Sequence, residues 1–270
     1  MNNQKTESKT IYFFADESWV DIEGKKHLIL GSVVPSNLNE TCYKIYKLKQ
    51  KIGISPLNEV KWNMKGLTEE QRIELSNGMI EILVNDCVGM ISVVETEDKQ
   101  YASQTLVKQI HDYCKKTNVS AYILHIDQDL VPKLQVLEDF IKSNLIGEPD
   151  CIGLQSLISS KDQMIQCCDI FIGLLRTVMV HLLNEVDKKI CYIDEGLDET
   201  VELDLTDYIL LSTRYVIWGD TSITIEDLEN GALPYKRSMG LGFRLVSSIS
   251  EETKALLENQ VATVYMGCMH

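Results

Sequence analysis

The chain has no cysteines in zinc-ligand spacing, no apolar run long enough to cross a bilayer, and a shortage of positive charge. Each absence excludes a class of function. Its eight cysteines (Cys42, Cys87, Cys114, Cys151, Cys167, Cys168, Cys191, Cys268) never form a Cys-x-x-Cys pair, which argues against a structural zinc site. Scattered through apolar stretches, they read as the reduced, buried thiols of a cytoplasmic protein. No apolar run approaches the roughly 20 residues of a membrane helix, so no membrane role is expected. The polar opening, residues 1–10, lacks the apolar core of a secretory signal and reads as a flexible tail. Lysine and arginine total 26 against 40 aspartates and glutamates, for a net charge of -14 and a pI of about 4.8. That balance argues against broad, non-specific duplex binding but leaves room for a local basic groove. Lys44, Lys47, Lys49 and Lys51 crowd one segment and read as a solvated helix face; Lys61, Lys65 and Arg72 gather further on.

What is present is a regular alternation of strand and helix signals. Apolar runs at 11–16, 27–34, 88–95, 121–127 and 152–158 read as strands. Helices are expected over 39–51, 68–85, 97–116, 132–144 and 161–184. Thr68 and Gln71 form a capping box, Pro132 suits a first helical turn, and Ser159 and Ser160 stand ready to cap the last helix. That helix is apolar almost all round, so it should lie on the sheet and be covered again. An opening hairpin followed by helical crossovers predicts an α/β fold with a mixed sheet flanked by helices. The core domain spans 11–190. Beyond it the periodicity fades, leaving a C-terminal α+β elaboration over 191–270, with a strand at 215–218, helices at 204–211 and 250–259, and a loop at 231–242.

Charge interrupts this pattern in four places. The strand from Ile11 ends in Asp16-Glu17-Ser18, where a turn residue is the ordinary stop. Glu59 stands two residues before Lys61, near enough for an ion pair if the segment is extended. Asp127 closes an apolar strand, with Asp129 placed to cap the next helix and His125 on the same face as Asp127. Asp169 breaks the apolar run of the last core helix, where an unpaired carboxylate is strongly disfavoured. Taken singly, the first three have structural explanations as turn, ion pair or cap. Together, four carboxylates on separate core elements point to a shared divalent cation.

At these residues the sequence resembles the prokaryotic domain of unknown function 3800 family, of the RNase H-like superfamily. The resemblance rests on Asp16-Glu17-Ser18, on the strand from Leu28 to Val34, on Glu59-Val60-Lys61-Trp62, on Asp127, and on the stretch from Ser159 through Gln166 to Asp169; it covers roughly residues 11–180. Two departures stand out: Trp19 replaces a glycine beside the site, and Cys167-Cys168 replace small residues before Asp169. The resemblance implies an RNase H-like sheet whose first strand lies centrally beside the strand of Asp127, with Asp169 brought across to Asp16. It implies a site for two Mg²⁺ or Mn²⁺ ions about 4 Å apart. Asp16 would bridge them, Asp127 and Asp169 would flank them, Glu17 or Glu59 would complete the set, and Lys61 would contact a phosphate. The implied activity is a metal-dependent phosphodiesterase or nuclease, in prokaryotic defence or mobile-element biology. The nucleic-acid substrate would be held weakly by the protein alone, with a protein partner or a second copy engaged through residues 191–270. Two other readings stay open: a catalytically inactive interaction subunit, and a hydrolase of small phosphorylated metabolites.

Overall fold

The computed structural model describes residues 10–62, 64–147, 149–186, 189–194, 199–213, 216–218, 242–246 and 248–266. Its centre is a long hairpin: β1 (Thr10–Ile22) turns through Glu23 and Gly24, both at positive φ, into β2 (Lys25–Pro35). A two-residue turn of that hand matches the right-handed twist of the paired strands, and glycine enters it without strain. β3 (Cys87–Val94) adds antiparallel to β2. β4 (Ala121–Asp127) lies parallel to β1, and β5 (Asp150–Leu157) lies parallel to β4. A short β8 (Phe243–Val246) joins β3 in parallel and completes a six-stranded mixed sheet, ordered β5-β4-β1-β2-β3-β8. β6 (Lys189–Asp194) and β7 (Glu199–Asp204) form a separate antiparallel pair. The fold is therefore α/β with a helix-flanked mixed sheet, as the sequence pattern predicted, and β1 is central beside β4, as the resemblance implied.

Helices cover both faces. On one side lie α3 (Lys99–Lys116) and α4 (Leu134–Asn144), over Phe13, Ala15, Leu28, Leu30, Tyr122, Leu124 and Ile126. On the other lies α5 (Gln163–Leu183), packed on β1 and β2 and covered in turn by α1 (Leu38–Lys51), α2 (Glu69–Asp86), α6 (Leu205–Thr213) and α7 (Glu251–Met266). By length and composition α5 does reach what a membrane span requires, contrary to the sequence expectation; it spends that apolar surface on the core. Its approach to the sheet is close: a Cβ added to Gly31 would stand 2.3 Å from Ile172. The Thr68–Gln71 capping box opens α2 as expected.

Several boundaries differ from expectation for physical reasons. β1 does not stop at Asp16 but runs on to Ile22, because Val20 and Ile22 continue the alternation into the core. Asp162, not Ser159 or Ser160, caps α5, accepting from the amides of Met164 and Ile165 at 2.9 Å; the two serines lie in a 3-10 turn before it. Asp129 caps nothing, since α4 starts at Leu134 after Lys133, which makes no side-chain cap. The strand expected at 215–218 is a single bridge between Ile217 and Gly89, and residues 219–241 lie outside the described residues, with most of the expected loop. The hairpin tip reaches the C-terminal segment: Glu23 accepts from the Ser250 amide at 3.1 Å and from the hydroxyls of Ser250 and Thr253, at the start of α7.

Candidate metal centre

Strand alternation puts Asp16 on the α5 face of β1, with Phe14 and Val20, and Glu17 on the α3 face, with Phe13 and Ala15. Opposite faces would normally separate two carboxylates. Here β4 pairs with β1 only over Thr10 to Ala15 and ends at Asp127, so from Asp16 onward β1 has one unpaired edge. Glu17 can therefore reach around that edge. The result is a group in which one ligand oxygen each from Asp16, Glu17 and Asp127 lies within 4.8 Å of the others.

Burial is the main force on this group. Asp16 is 7% exposed, and burial followed by the charges of Glu17, Asp127 and Asp169 pushes its carboxyl up to about 9, despite a 2.7 Å hydrogen bond from the Glu17 amide. Burial also raises Glu17, opposed by Lys99, whose Nζ lies 2.6 Å from Oε1 and also donates to the Asp129 carbonyl at 2.7 Å. Asp127 is raised by burial and partly relieved by amide hydrogen bonds from Asp129, at 2.8 Å, and Ser159. Asp169 is raised by burial and steadied by Lys61 and by the Trp62 amide.

Glu59 and Lys61 come to the same region from a loop, not from a strand. Their ion pair measures 3.2 Å, and Glu59 also accepts from the Ser159 hydroxyl. Burial works against the Lys61 charge, but Glu59, Asp169 and Asp16 outweigh it and raise its pKa. Glu17 belongs to the tight group with Asp16 and Asp127, whereas Glu59 is held by Lys61 and Ser159.

Donor chemistry fits a hard divalent cation, because the tight group offers only carboxylate oxygens. Glu17 Oε2 is buried with no fixed donor among the described residues, so either a cation or a proton shared with the Asp16 carboxyl must complete it. His125 is no part of this set; it sits edge-on to Tyr12 and Phe14, with ring centroids at 6.0 and 5.0 Å. Trp19 falls on the Glu17 face and packs toward the α3 core. Cys167 and Cys168 are fully buried, and Cys168 receives the Asp16 amide.

The supporting roles of Lys49 and Lys99 escaped the sequence reading, and Gln166 entered it only as part of the motif before Asp169. Lys49, read as solvated, is 1% exposed; it donates to Gln166 Oε1 at 2.7 Å and to the Asn58 carbonyl at 3.0 Å. Gln166 also accepts from the Val60 amide and donates to the Ser159 carbonyl, tying the Glu59 loop and the Ser159 turn to α5 one turn before Asp169. Thr41, Ile45 and Lys49 recur every four residues as the buried stripe of α1, a signal that could have flagged Lys49. Lys99 carried no such signal.

No family model matches the sequence, and no curated protein matches it. Among solved structures, a chain from the complex of PCNA and RNase HII of Archaeoglobus fulgidus is similar at 13% identity and a TM-score of 0.37, covering 65% of this chain and 77% of that one, a likeness too distant to assign a fold.

Proposed function

We propose that this protein is a divalent-metal-dependent phosphodiesterase acting on nucleic acid, a member of the domain of unknown function 3800 family with an RNase H-like core. The observation that carries the reading is the Asp16, Glu17 and Asp127 group at the unpaired edge of β1, with Asp169 and Lys61 beside it. Asp16, Glu17 and Asp127 would hold Mg²⁺ or Mn²⁺, and Asp169 would complete the set or hold a second ion. Such an ion, when bound, supplies a Lewis acid and a water of lowered pKa. The chain's own residues do the rest. Lys61, with a side chain 58% exposed, meets a phosphate oxygen while staying anchored to Glu59. Lys99 fixes Oε1 of Glu17 and leaves Oε2 without a fixed donor, free to meet a cation. The amides of Asp129 and Ser159 hold Asp127 in place.

One observation favours the inactive-subunit reading: Lys99 and Lys61 already pair with Glu17 and Glu59, so part of the negative charge is met within the chain. Cleavage of labelled single- and double-stranded DNA and RNA separates the two. Activity is expected with Mn²⁺ or Mg²⁺, lost in EDTA, and lowered by orders of magnitude in Asp16→Asn. Glu17→Gln should be far more damaging than Glu59→Gln. Equal and mild losses from all three substitutions, or activity that survives EDTA, would reject the metal mechanism.

A further inference from the structure

Strand β5 ends the sheet on one side, paired with β4 alone among the described residues, and β8 ends it on the other. A strand edge presents unpaired amides and carbonyls, and chains ordinarily guard it by keeping it short or by placing lysine or proline on it. β8 is guarded by its length of four residues. β5 is not guarded: no lysine, arginine or proline occurs from Asp150 to Ser160. Ile152 is nonetheless 56% exposed and Ile158 40%, with Gln155 and Ser156 exposed between them.

The direction of the edge backbone follows from the ladder. The Leu157 carbonyl accepts from the Gln128 amide at 2.8 Å, on the β4 side. Alternation then turns the amides and carbonyls of Leu154 and Ser156 away from the sheet. The register shift leaves Ile152 without a partner on β4, and from Gly153 to Leu157 the pairing is regular. Ile158 stays extended, at φ -91° and ψ 118°.

The side chains of this run match their own reverse. A two-fold axis at Gln155 lays two copies antiparallel. It sets Ile152 opposite Ile158 of the second copy, Gly153 opposite Leu157, Leu154 opposite Ser156, and Gln155 opposite itself. A small residue faces a large one in each unlike pair, and Leu154 and Ser156 become a hydrogen-bonded pair through their outward amides and carbonyls. Asp150 arrives at the turn Ser159–Lys161, where Lys161 brings the opposite charge. Moving the axis by one residue spoils the match. Centred on Leu154, Asp150 would face Ile158; centred on Ser156, Ile152 would face Ser160.

We propose that β5 is a self-association edge, through which two copies of this chain pair antiparallel over residues 152–158 about Gln155 and join their sheets into one. The inference does not depend on what the acidic group does. Antiparallel pairing leaves the two acidic groups at opposite ends of the joined sheet.

The test is the mass of the full chain in solution, by light scattering and sedimentation over a dilution series. The wild type should pass from monomer to dimer as concentration rises. Ser156→Pro removes an outward N–H that its own sheet does not use, a position where proline is tolerated. Its melting temperature when dilute should match the wild type, while dimerisation weakens at least about tenfold. With diamide as oxidant, Gln155→Cys should form an intermolecular disulfide, because a non-hydrogen-bonded pair at the axis brings its Cα atoms to about 4.5 Å. Ser156→Cys, off the axis by a diagonal of about 7–8 Å, should not. The cysteine pair decides the matter even where the proline lowers the melting temperature. A wild type that stays monomeric at the highest concentration, a dimer that Ser156→Pro leaves intact, or a Gln155→Cys protein that cross-links no better than Ser156→Cys would overturn the proposal.

Discussion

Asp16 is raised from 3.8 to about 9 first by burial and then by its acidic neighbours, so between those limits the folded, metal-free chain keeps a proton that the unfolded chain has released. The folded state then binds more protons, and its stability must fall as pH rises from about 4 through about 9. Glu17, Asp127 and Asp169 shift in the same direction and add to the slope. In EDTA, the melting temperature of the wild type should fall between about pH 5 and about pH 8.5. Asp16→Asn keeps an acceptor for the Glu17 amide, should flatten that fall, and should melt at or above the wild type at the alkaline end. An unaltered slope in this variant, by thermal scanning, would mean that Asp16 is not the strained group. At this scale the sequence was informative where a charge broke an apolar run, as at Asp127 and Asp169. It was silent about Lys99, because a lysine at the start of a helix has no local reason to meet Glu17, 82 residues away.

Among the elements, α5 carries Asp169 and seats the Glu59 loop, and Gly173 sets how closely that loop lies against it. A Cβ there would stand 2.5 Å from that of Trp62, whose ring nitrogen donates to Thr177 at 2.9 Å. Two effects compete in Gly173→Ala. Helix propensity favours alanine by about 1 kcal/mol, whereas overpacking costs about 1–3 kcal/mol. Because the clash is with a Cβ rather than a flexible chain end, overpacking should win: net stability falls, Trp62 fluorescence shifts, and Lys61 moves away from Asp169. A more stable variant with unchanged emission would show that the loop is not seated on α5. The core helices and all five long strands were legible from periodicity. The end of β1 was not, because two acids were read as a stop when they mark where the neighbouring strand ends. β8 was missed because four residues at a sheet edge carry too little pattern.

Across the whole molecule, the sheet gathers the acidic group from β1 and β4 and sets α5 beside it, so a cation held there binds the folded state and not the dispersed chain. Mn²⁺ at a hundredfold excess over its dissociation constant should stabilise the wild type by about 2.7 kcal/mol. The rise in melting temperature should shrink in Asp127→Asn, and a wild type indifferent to Mn²⁺ would leave the carboxylates without a common partner. The order in which the site's parts occur along the chain carries a further consequence, in time rather than space. Asp16 and Glu17 leave the ribosome early, Asp127 follows after roughly 110 residues, and α5, which carries Asp169, comes later still. At about 5–20 residues per second, the growing chain spends on the order of ten seconds or more with half a site. β1 and β2 can pair in that interval, but the acidic group is not assembled until β4 joins β1 and α5 closes over the hairpin. Synthesis itself thus delays assembly of the acidic group until the rest of the core has been made.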